Sequence, residues 1–569
     1  MGEKINPELE LAIESSEYSR DNSLYLGYDA DKDTWLLVLR YTGDIDDLIG
    51  EVINECVYLL GGFAVIKIDT SKIDILQRDS RVLYIDKANY YSYGTTGNYY
   101  EKYMSCISES FDEKYGLTGK GVCIGIIDSG LDIRNVDFER NGNTRVVSYW
   151  DQNMLYDFRY PNRYGVGRIY ERTELSQMYL DGLTPGTSAQ DHGTAVTSVA
   201  AGSTTGVAVQ ADIIMVEQQT DHIYPDTISI MMGIDMLVRY SIENRVPMVI
   251  NLSYGNNYGA HDGTGLLEIF IDMISKMAKV SFVTGTGNDG DRSLHTNGLL
   301  GNVSYADLNI TVTGGIGNFG LQIWKSYIDI FDVLVYSPSY ELVTYMSEGQ
   351  TVTGMKYGET IIQGISQTPS PYNAKQLIYI FFQSDSYIQK GIWKVRLVPK
   401  SIANGVYNAY LPGESYVTGQ VYFENPVPFG SLTIPSTSKS VISVASYDQN
   451  TGGITNFSGR GYTTDNGIKP DIAAPGVEIT VSAGNGMYEK ADGTSLSTAF
   501  VSGAAALLME WGIVMGNDPF MYGERLKAQL IRGARKLTSQ FLYPNRYVGW
   551  GTLCLEESLQ DLKNRMKDN

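Results

Sequence analysis

Three short segments of this sequence carry the residue types needed for nucleophilic attack on a carbonyl carbon: IGIIDSGLD, DHGTAVTSVAAG and DGTSLSTAFVSGAAALL. The first puts Asp128 directly after a continuous apolar run. The second puts His192 just ahead of a run of small residues, and the third puts Ser495 at the mouth of another. A serine hydroxyl is a poor nucleophile until an imidazole removes its proton, and the imidazole needs a carboxylate to hold its tautomer. Unpaired N–H groups at a helix start add a favourable place for negative charge developing on oxygen. Each segment alone has a plainer reading: Gly-Thr-Ser as a helix cap, Asp-Ser-Gly as a turn, a single His as structural. Among the four histidines, however, only His192 is flanked by Asp, Gly and Thr before an Ala-rich stretch. His222, His261 and His295 stand in polar, loop-like surroundings and read as surface residues.

The elements that must position these groups follow from hydrophobic texture. From Gly121 onward, GVCIGIID, ADIIMVEQ, PMVINLS and VSFVTGTGN are short apolar runs ending in small or polar residues. Between them TISIMMGIDMLVRYSIEN and LLEIFIDMISKMAK have helical spacing. This alternation predicts an α/β domain with a parallel sheet, whose functional residues sit at strand C-terminal ends. Between Ser304 and Phe429 the runs NITVTGG, GLQIWKSYIDIFDVLVYS, QLIYIFFQS, GIWKVRLVPK and GVYNAYLPG are aromatic and β-branched, separated by Gly, Pro, Ser and Asn. They predict an inserted all-β domain of sandwich or jelly-roll type, with the alternating aromatics as sheet core. Ahead of all this, WLLVLRY, AVIKID and RVLYID with two amphipathic segments read as strand, helix, strand, helix, strand, with Asp44 capping the first helix. A small ferredoxin-like unit fits that order. The divisions fall at residues 1–96, 97–305, 306–429 and 430–569, with a Tyr- and Gly-containing connector over 89–113.

Bulk properties exclude several classes. A chain of 569 residues exceeds one compact core, and hydrophobic residues at 43% with charged residues at 19% are ordinary globular values. The net charge of -21 leaves no basic surface to neutralise phosphates, so nucleic acid is excluded as a partner. No apolar run reaches the length of a membrane span, and MGEKINPELELAIESSEYSRDN has no apolar signal core. A soluble, cytoplasmic protein is expected on that basis. Cys56, Cys106, Cys123 and Cys554 are scattered without metal-ligand spacing and read as reduced, structural thiols.

Taken in order, D-S-G, H-G-T and G-T-S-x-x-T-x-x-V-x-G resemble the subtilisin-like serine proteases (subtilases, peptidase S8). The resemblance covers residues 121–305 and 430–553. It implies a subtilisin-like parallel-sheet catalytic domain, with Asp128 as orienting acid, His192 as general base and Ser495 as nucleophile. VTGTGNDG resembles the oxyanion strand, which makes Asn288 the side-chain donor to the tetrahedral intermediate. NLSYG resembles the substrate strand, so Ser253, Tyr254 and Gly255 are expected to pair with a peptide backbone, and Gly285, Thr286 and Gly287 to line the first specificity pocket. The implied activity is that of a serine endopeptidase acting on protein or peptide.

The sequence departs from the family pattern in places. Ala195 stands where a second His is common, and Ala499-Phe500 replaces a common Pro-His. Asp128 and His192 are 64 residues apart, roughly twice the family spacing. The excess within Asn141–Ser188 reads as an elaborated surface loop, and the β insert accounts for the long stretch between Asn288 and Ser495. The N-terminal unit resembles the family's propeptide, a bound inhibitor whose last stretch lies in the cleft as product does, with cleavage expected between Ala88 and Tyr100. Propeptide, catalytic domain, β insert and the phrase NYGAHDGTG together resemble the Csp-type subtilases of clostridial spores, which activate the precursor of a cortex-degrading enzyme during germination. That group includes catalytically silent members, so a pseudoprotease acting as a sensor is the competing reading. The presence of Asp128, His192, Asn288 and Ser495 speaks against it. The mechanism requires no cofactor. Calcium is common in the family; no D-x-[DN]-x-[DN]-G loop occurs, and the carboxylates of DSGLDIRNVDFE read as a solvated loop before they read as a metal site.

Overall fold

The computed structural model describes residues 4–15, 23–93, 96–97, 115–186, 191–204, 206–218, 225–301, 303–366, 373–483, 487–537 and 542–567. His222, Cys106 and most of the 89–113 connector lie outside the described residues. The chain condenses into two compact units, each built from separate stretches. One comprises Met1–Tyr90, Asn256–Leu266 and Asp291–Ser431; the other comprises Tyr91–Gly255, Leu267–Gly290 and Leu432–Asn569.

The second unit is the expected α/β domain. Its nine-stranded sheet runs in the order Arg168–Glu171, Val146–Asp151, Asp212–Glu217, Cys123–Asp128, Met248–Leu252, Val280–Gly285, Ile442–Asp448, Gly453–Ile454, with Ile472–Pro475 also pairing Ile442–Asp448. The central pairings are parallel. Cys123–Asp128, Met248–Leu252 and Val280–Gly285 are buried at every position, which is why they read as continuous apolar runs rather than alternating ones. The helices Asp191–Ala201 and Thr494–Met509 pack together in the core of this sheet. Their small residues answer a steric demand: a Cβ on Gly503 would lie 2.7 Å from the carbonyl oxygen of Ala200.

Two expectations are corrected in this unit. The excess length between Asp128 and His192 is no simple surface loop. Val146–Asp151 is a fully buried parallel strand, Arg168–Glu171 its antiparallel edge partner, and Arg172–Leu180 a helix. Thr494–Val514 also has the length and apolarity of a membrane span, contrary to the sequence reading; it is a core helix, buried over most of its length by the sheet it crosses.

In the first unit, residues 28–87 form an antiparallel sheet. Its order is Val82–Lys87, Thr34–Tyr41, Phe63–Asp69, Glu55–Leu59, with Tyr28–Asp29 sharing the outer edge of Thr34–Tyr41. This is the ferredoxin-like strand order. Its first crossover is not the helix expected: it shrinks to a 3₁₀ turn, Asp46–Leu48, and the second half of the amphipathic segment becomes the strand Glu55–Leu59. Asp44 accepts from the N–H of Asp46 at 2.9 Å, so it caps that turn rather than a helix. The helix Pro7–Glu14, capped by Asn6, was not foreseen.

The insert is a pair of packed antiparallel sheets. The larger runs His295–Leu299, Val406–Tyr410, Asn318–Ser326, Lys375–Gln383, Thr360–Ser366, Thr351–Tyr357; the smaller runs Leu342–Met346, Ile330–Tyr336, Gly391–Ser401, Ala306–Val312, Val421–Phe423. Its first strand, His295–Leu299, lies ahead of the residue-306 boundary that texture suggests. The run QLIYIFFQ is apolar on both faces for a specific reason. Ile378, Ile380 and Phe382 face the smaller sheet. The alternate residues Leu377, Tyr379 and Phe381 join the core of the N-terminal ferredoxin-like sheet with Leu37, Leu39 and Ile66. His295 and His261 are buried here, not on the surface: both stack on the ring of Tyr410, at centroid distances of 4.6 Å and 3.9 Å. Burial holds the His295 imidazole below the usual histidine range. Cys56, Cys123 and Cys554 form no disulfide among the described residues, and burial pushes the Cys123 thiol up to about 12.

A buried ion pair joins the N-terminal helix to the ferredoxin-like sheet, and a hydrogen bond extends it to the larger sheet of the insert. Lys87 Nζ lies 3.5 Å from Glu8 Oε2, and both side chains are almost wholly buried. Gln322 Nε2 donates to Glu8 Oε1, while Gln322 Oε1 accepts from Trp324 Nε1 and from the Gly259 N–H, each at 2.9 Å. Removing one partner of such a pair strands the other charge in a low dielectric. Glu8→Ala should therefore destabilise this unit by about 3 kcal/mol, and Glu8→Leu combined with Lys87→Met should recover most of the loss, as read by urea denaturation. A second expectation concerns pH. His295 is neutral in the fold, so below the ordinary histidine pKa of about 6.5 the unfolded chain takes up a proton that the fold refuses. Stability of this unit should fall as pH drops from 7 to 5.5, by up to about 1 kcal/mol from this residue, and His295→Gln should flatten that part of the profile.

Candidate active site

The strand Cys123–Asp128 delivers Asp128 to its C-terminal end, where the side chain is fully buried. Asp128 Oδ1 accepts from the N–H of Ser129 at 2.7 Å and lies 2.7 Å from His192 Nδ1. A carboxylate oxygen only accepts when ionised, so the proton sits on Nδ1 and Nε2 is the basic nitrogen. His192 is the second residue of its helix, and the helix start is laced to the Asp128 turn. The Gly193 N–H donates to Ser129 Oγ at 3.1 Å, and the Asp132 N–H donates to Thr194 Oγ1 at 3.3 Å.

Ser495 is likewise the second residue of Thr494–Met509, nearly buried, with its Oγ donating to the carbonyl of Ser253 at 3.2 Å. Ser253 follows the strand Met248–Leu252. Its hydroxyl donates to Asn251 Oδ1 at 2.6 Å, and Asn251 Nδ2 donates to Ser502 Oγ at 3.0 Å, back on the Ser495 helix. Asn288, just beyond Val280–Gly285, accepts at Oδ1 from both the N–H and the hydroxyl of Thr494, at 3.0 and 2.9 Å. With the carbonyl end so fixed, the amide presents Nδ2, its donor end, away from Thr494.

Thr433 ties the remaining predicted residues together. Its N–H donates to the carbonyl of Thr286 at 3.0 Å. A Cβ on Gly255 would fall 2.3 Å from Thr433 Oγ1, and one on Gly287 2.4 Å from Thr433 Cγ2. The third glycine, Gly285, leaves 2.8 Å between its missing Cβ and Thr494 Oγ1. Thr433 and Thr494 are residues that sequence reasoning passed over. Thr494 stands inside the Gly-Thr-Ser motif with no role of its own read from sequence, whereas Thr433 follows the insert with no local signal.

The strand Tyr254–Gly255 pairs antiparallel with Ser92–Tyr93, Tyr254 opposite Tyr93 and Gly255 opposite Ser92. The Tyr91 ring meets that of Tyr254 edge-on at 5.7 Å. Thr96–Gly97 then pairs with Ala491–Asp492, two residues before the Ser495 helix. The connector therefore runs along the residues read as the substrate strand.

The acidic residues of DSGLDIRNVDFE are not a solvated loop. Asp132 and Asp137 are buried. Asp132 pairs with Arg134 at 2.8 Å, and Asp137 accepts from the Thr204 N–H at 2.8 Å and from the Ser482 hydroxyl. They serve as turn and loop caps. Among the described residues no group of three or more His, Cys, Asp or Glu side chains is arranged to hold a metal ion.

Residues 119–373 and 424–551, more than half of the chain, match the subtilase family model (peptidase S8). The chain belongs to the subtilase family. Residues 3–88 match the Csp protease B prodomain. The subtilase is similar in structure to the CspB protease of Clostridium perfringens, with a TM-score of 0.74 and 29% identity, over 80% of this chain and 96% of that one. It is 24% identical over 465 residues to the minor extracellular protease Vpr of Bacillus subtilis strain 168, covering 77% of this chain. A shorter stretch of 57 residues, 10% of the chain, is 47% identical to C5a peptidase of Streptococcus pyogenes. The match spans about half the length of Vpr, and the 57-residue match covers 5% of C5a peptidase.

The double contact of Thr494 with Asn288 carries a consequence. Thr494→Val keeps the side-chain shape and the backbone donor but removes the hydroxyl that pins the amide; on the oxyanion role that the family resemblance implies for Asn288, turnover should fall about tenfold, less than the 10²–10³ of losing the amide itself. Active-site labelling rates of Thr494→Val and Asn288→Ala, measured side by side, check that order.

Proposed function

We propose that this subtilase is a serine endopeptidase in which Ser495 is the nucleophile, His192 the general base, Asp128 the orienting acid and Asn288 an oxyanion donor. The observation that carries the reading is the 2.7 Å contact of His192 Nδ1 with a fully buried Asp128, in the same unit as a serine on the first turn of a helix. In the first step Ser495 Oγ attacks the scissile carbonyl carbon while its proton passes to His192 Nε2. Asp128 stabilises the resulting imidazolium through Nδ1–H. The oxyanion receives hydrogen bonds from Asn288 Nδ2 and the Ser495 N–H, both preorganised by the helix start. His192 then returns the proton to the leaving amine, giving an acyl-enzyme on Ser495 and a free amino terminus. Water, deprotonated by the same imidazole, releases the acid and restores the serine. No step calls for a cofactor.

The substrate is a peptide in extended form, bound by adding a strand to Tyr254–Gly255, with Gly285, Thr286 and Gly287 lining the pocket for the residue before the cut. The N-terminal domain acts as its own first substrate and inhibitor. The pairings of Ser92–Tyr93 and Thr96–Gly97 flank a cleavage point between Tyr93 and Thr96, inside the 88–100 range read from sequence. Similarity to the Clostridium perfringens CspB protease supports, as the finer reading, a role in activating a cortex-lytic precursor in spores. The silent-pseudoprotease reading has no observation in its favour.

Intact mass of the full wild-type chain beside Ser495→Ala tests the proposal. Wild type split between residues 93 and 96, with the variant whole, is the expected result. Both chains split alike would indicate a foreign protease and defeat self-processing. Wild type whole and refractory to a fluorophosphonate would defeat catalysis itself. Any residual turnover of Ser495→Ala should lie about 10⁴–10⁶ below wild type.

A further inference from the structure

Asp128 has a buried acidic neighbour. The adjacent parallel strand ends at Glu217, in register with Asp128, and Glu217 is fully buried too. One strand further out, the Tyr149 hydroxyl donates to Glu217 Oε2 at 2.6 Å, and the same hydroxyl accepts from the Leu131 N–H at 3.2 Å. Burial and the Glu217 carboxylate keep the Tyr149 phenol protonated, well above the ordinary tyrosine range. The phenol thus links a fixed carboxylate to the backbone of the turn that follows Asp128.

The turn itself fits against this pair with no room to spare. Gly130 adopts φ +108, and a Cβ there would lie 2.9 Å from Glu217 Cδ and 3.0 Å from the Tyr149 hydroxyl. The carbonyl oxygen of Gly130 lies 2.1 Å from where a Cβ on Gly193 would stand, and Gly193 directly follows His192. Displacing the turn therefore moves Asp128 at one end and the start of the His192 helix at the other. We propose that Tyr149 and Glu217 are positioning residues for the Asp128–His192 pair, fixing the Ser129–Leu131 turn so that the carboxylate meets Nδ1 in line. The inference rests on the serine-endopeptidase reading above. Neither residue belongs to the motifs that identify the family; both come from the segment around Val146–Asp151 and from the strand Asp212–Glu217, far from the three signature segments in sequence.

A positioning role has a signature that simple packing lacks. The Asp128 carboxylate stabilises the imidazolium form of His192, so a looser pair lowers the imidazolium pKa, and the acid limb of reactivity moves to lower pH. The misoriented base also lowers the plateau rate. The test is the pH dependence of fluorophosphonate labelling of the full chain, expressed per folded molecule. Wild type labelled and Ser495→Ala unlabelled establishes the reading on which the pair rests; an unlabelled wild type defeats that reading, and the positioning role with it. Given labelling, Tyr149→Phe should lower the plateau about tenfold and move the acid limb down by about half a pH unit. Glu217→Gln keeps an acceptor for the Tyr149 hydroxyl and should lose only about threefold, with a shift in the same direction. Should Tyr149→Phe not fold, Glu217→Gln alone decides. A plateau and limb equal to wild type in the folded variants, even with a reduced melting temperature, would overturn the proposal and leave the pair as packing.

Discussion

A carboxylate with no solvent contact survives in a protein only if donors replace the water it has lost. Asp128 is such a group, and at Oδ1 its donors are the Ser129 N–H and His192 Nδ1. Meeting that demand sets the position of the His192 helix relative to the end of the central strand. The helix start approaches the Asp128 turn so closely that Gly193 is without room for a Cβ, which would meet the Gly130 carbonyl. The same closeness continues along the helix, where Gly503 of the Ser495 helix passes within contact of the Ala200 carbonyl. The small-residue runs HGTAVTSVAA and TAFVSGAAA are thus a consequence of bringing two helices and a buried acid together at one end of a sheet.

The large insertion leaves that arrangement undisturbed because the sheet is continuous on either side of it. Val280–Gly285, before the insert, pairs directly in parallel with Ile442–Asp448 after it. The chain re-enters at Leu432, and its next residue, Thr433, fills the space that glycine leaves at 255 and 287. Within the other unit, the insert gains a second use. Its larger sheet is apolar on both faces, one for its own core and one for the ferredoxin-like sheet, and the Glu8–Lys87–Gln322 network satisfies the polar groups that this burial would otherwise orphan.

The sequence was most legible where a pattern reports local physics. Continuous apolar runs of five or six residues located the parallel strands, because burial on both faces leaves no polar positions. The three signature segments located Asp128, His192 and Ser495 at a strand end and two helix starts. Legibility failed where long-range packing overrides local preference. DDLIGEVINECVYLL has helical spacing, yet Glu55–Leu59 pairs with Phe63–Asp69 and only a 3₁₀ turn remains. His261 and His295 look polar and loop-like in sequence because nothing nearby announces Tyr410, more than a hundred residues away, as the ring they stack on. Asp132 and Asp137 read as solvated for the same reason: their partners include Ser482 and Thr204, which only the fold supplies. Thr433, Tyr149 and Glu217 carry no motif at all; their importance lies in what a neighbouring glycine lacks.

The connector residues Ser92–Tyr93 pair with Tyr254–Gly255, backbone that the proposal above gives to an extended substrate, and Thr96–Gly97 pair with Ala491–Asp492. Strand addition is largely indifferent to side chains, so a segment of the same chain competes with any substrate at the high effective concentration of a tether, of the order of mM for a short flexible one. Cutting between Tyr93 and Thr96 would break the covalent link without touching the apolar face and the buried ion pair that hold the N-terminal sheet to the insert. The insert is continuous in sequence with the α/β stretches at both of its ends. On the self-processing proposed above, separation of the N-terminal sheet from the insert after the cut depends on the strength of the Leu377–Tyr379–Phe381 face, whose aromatic and aliphatic burial is worth several kcal/mol by area.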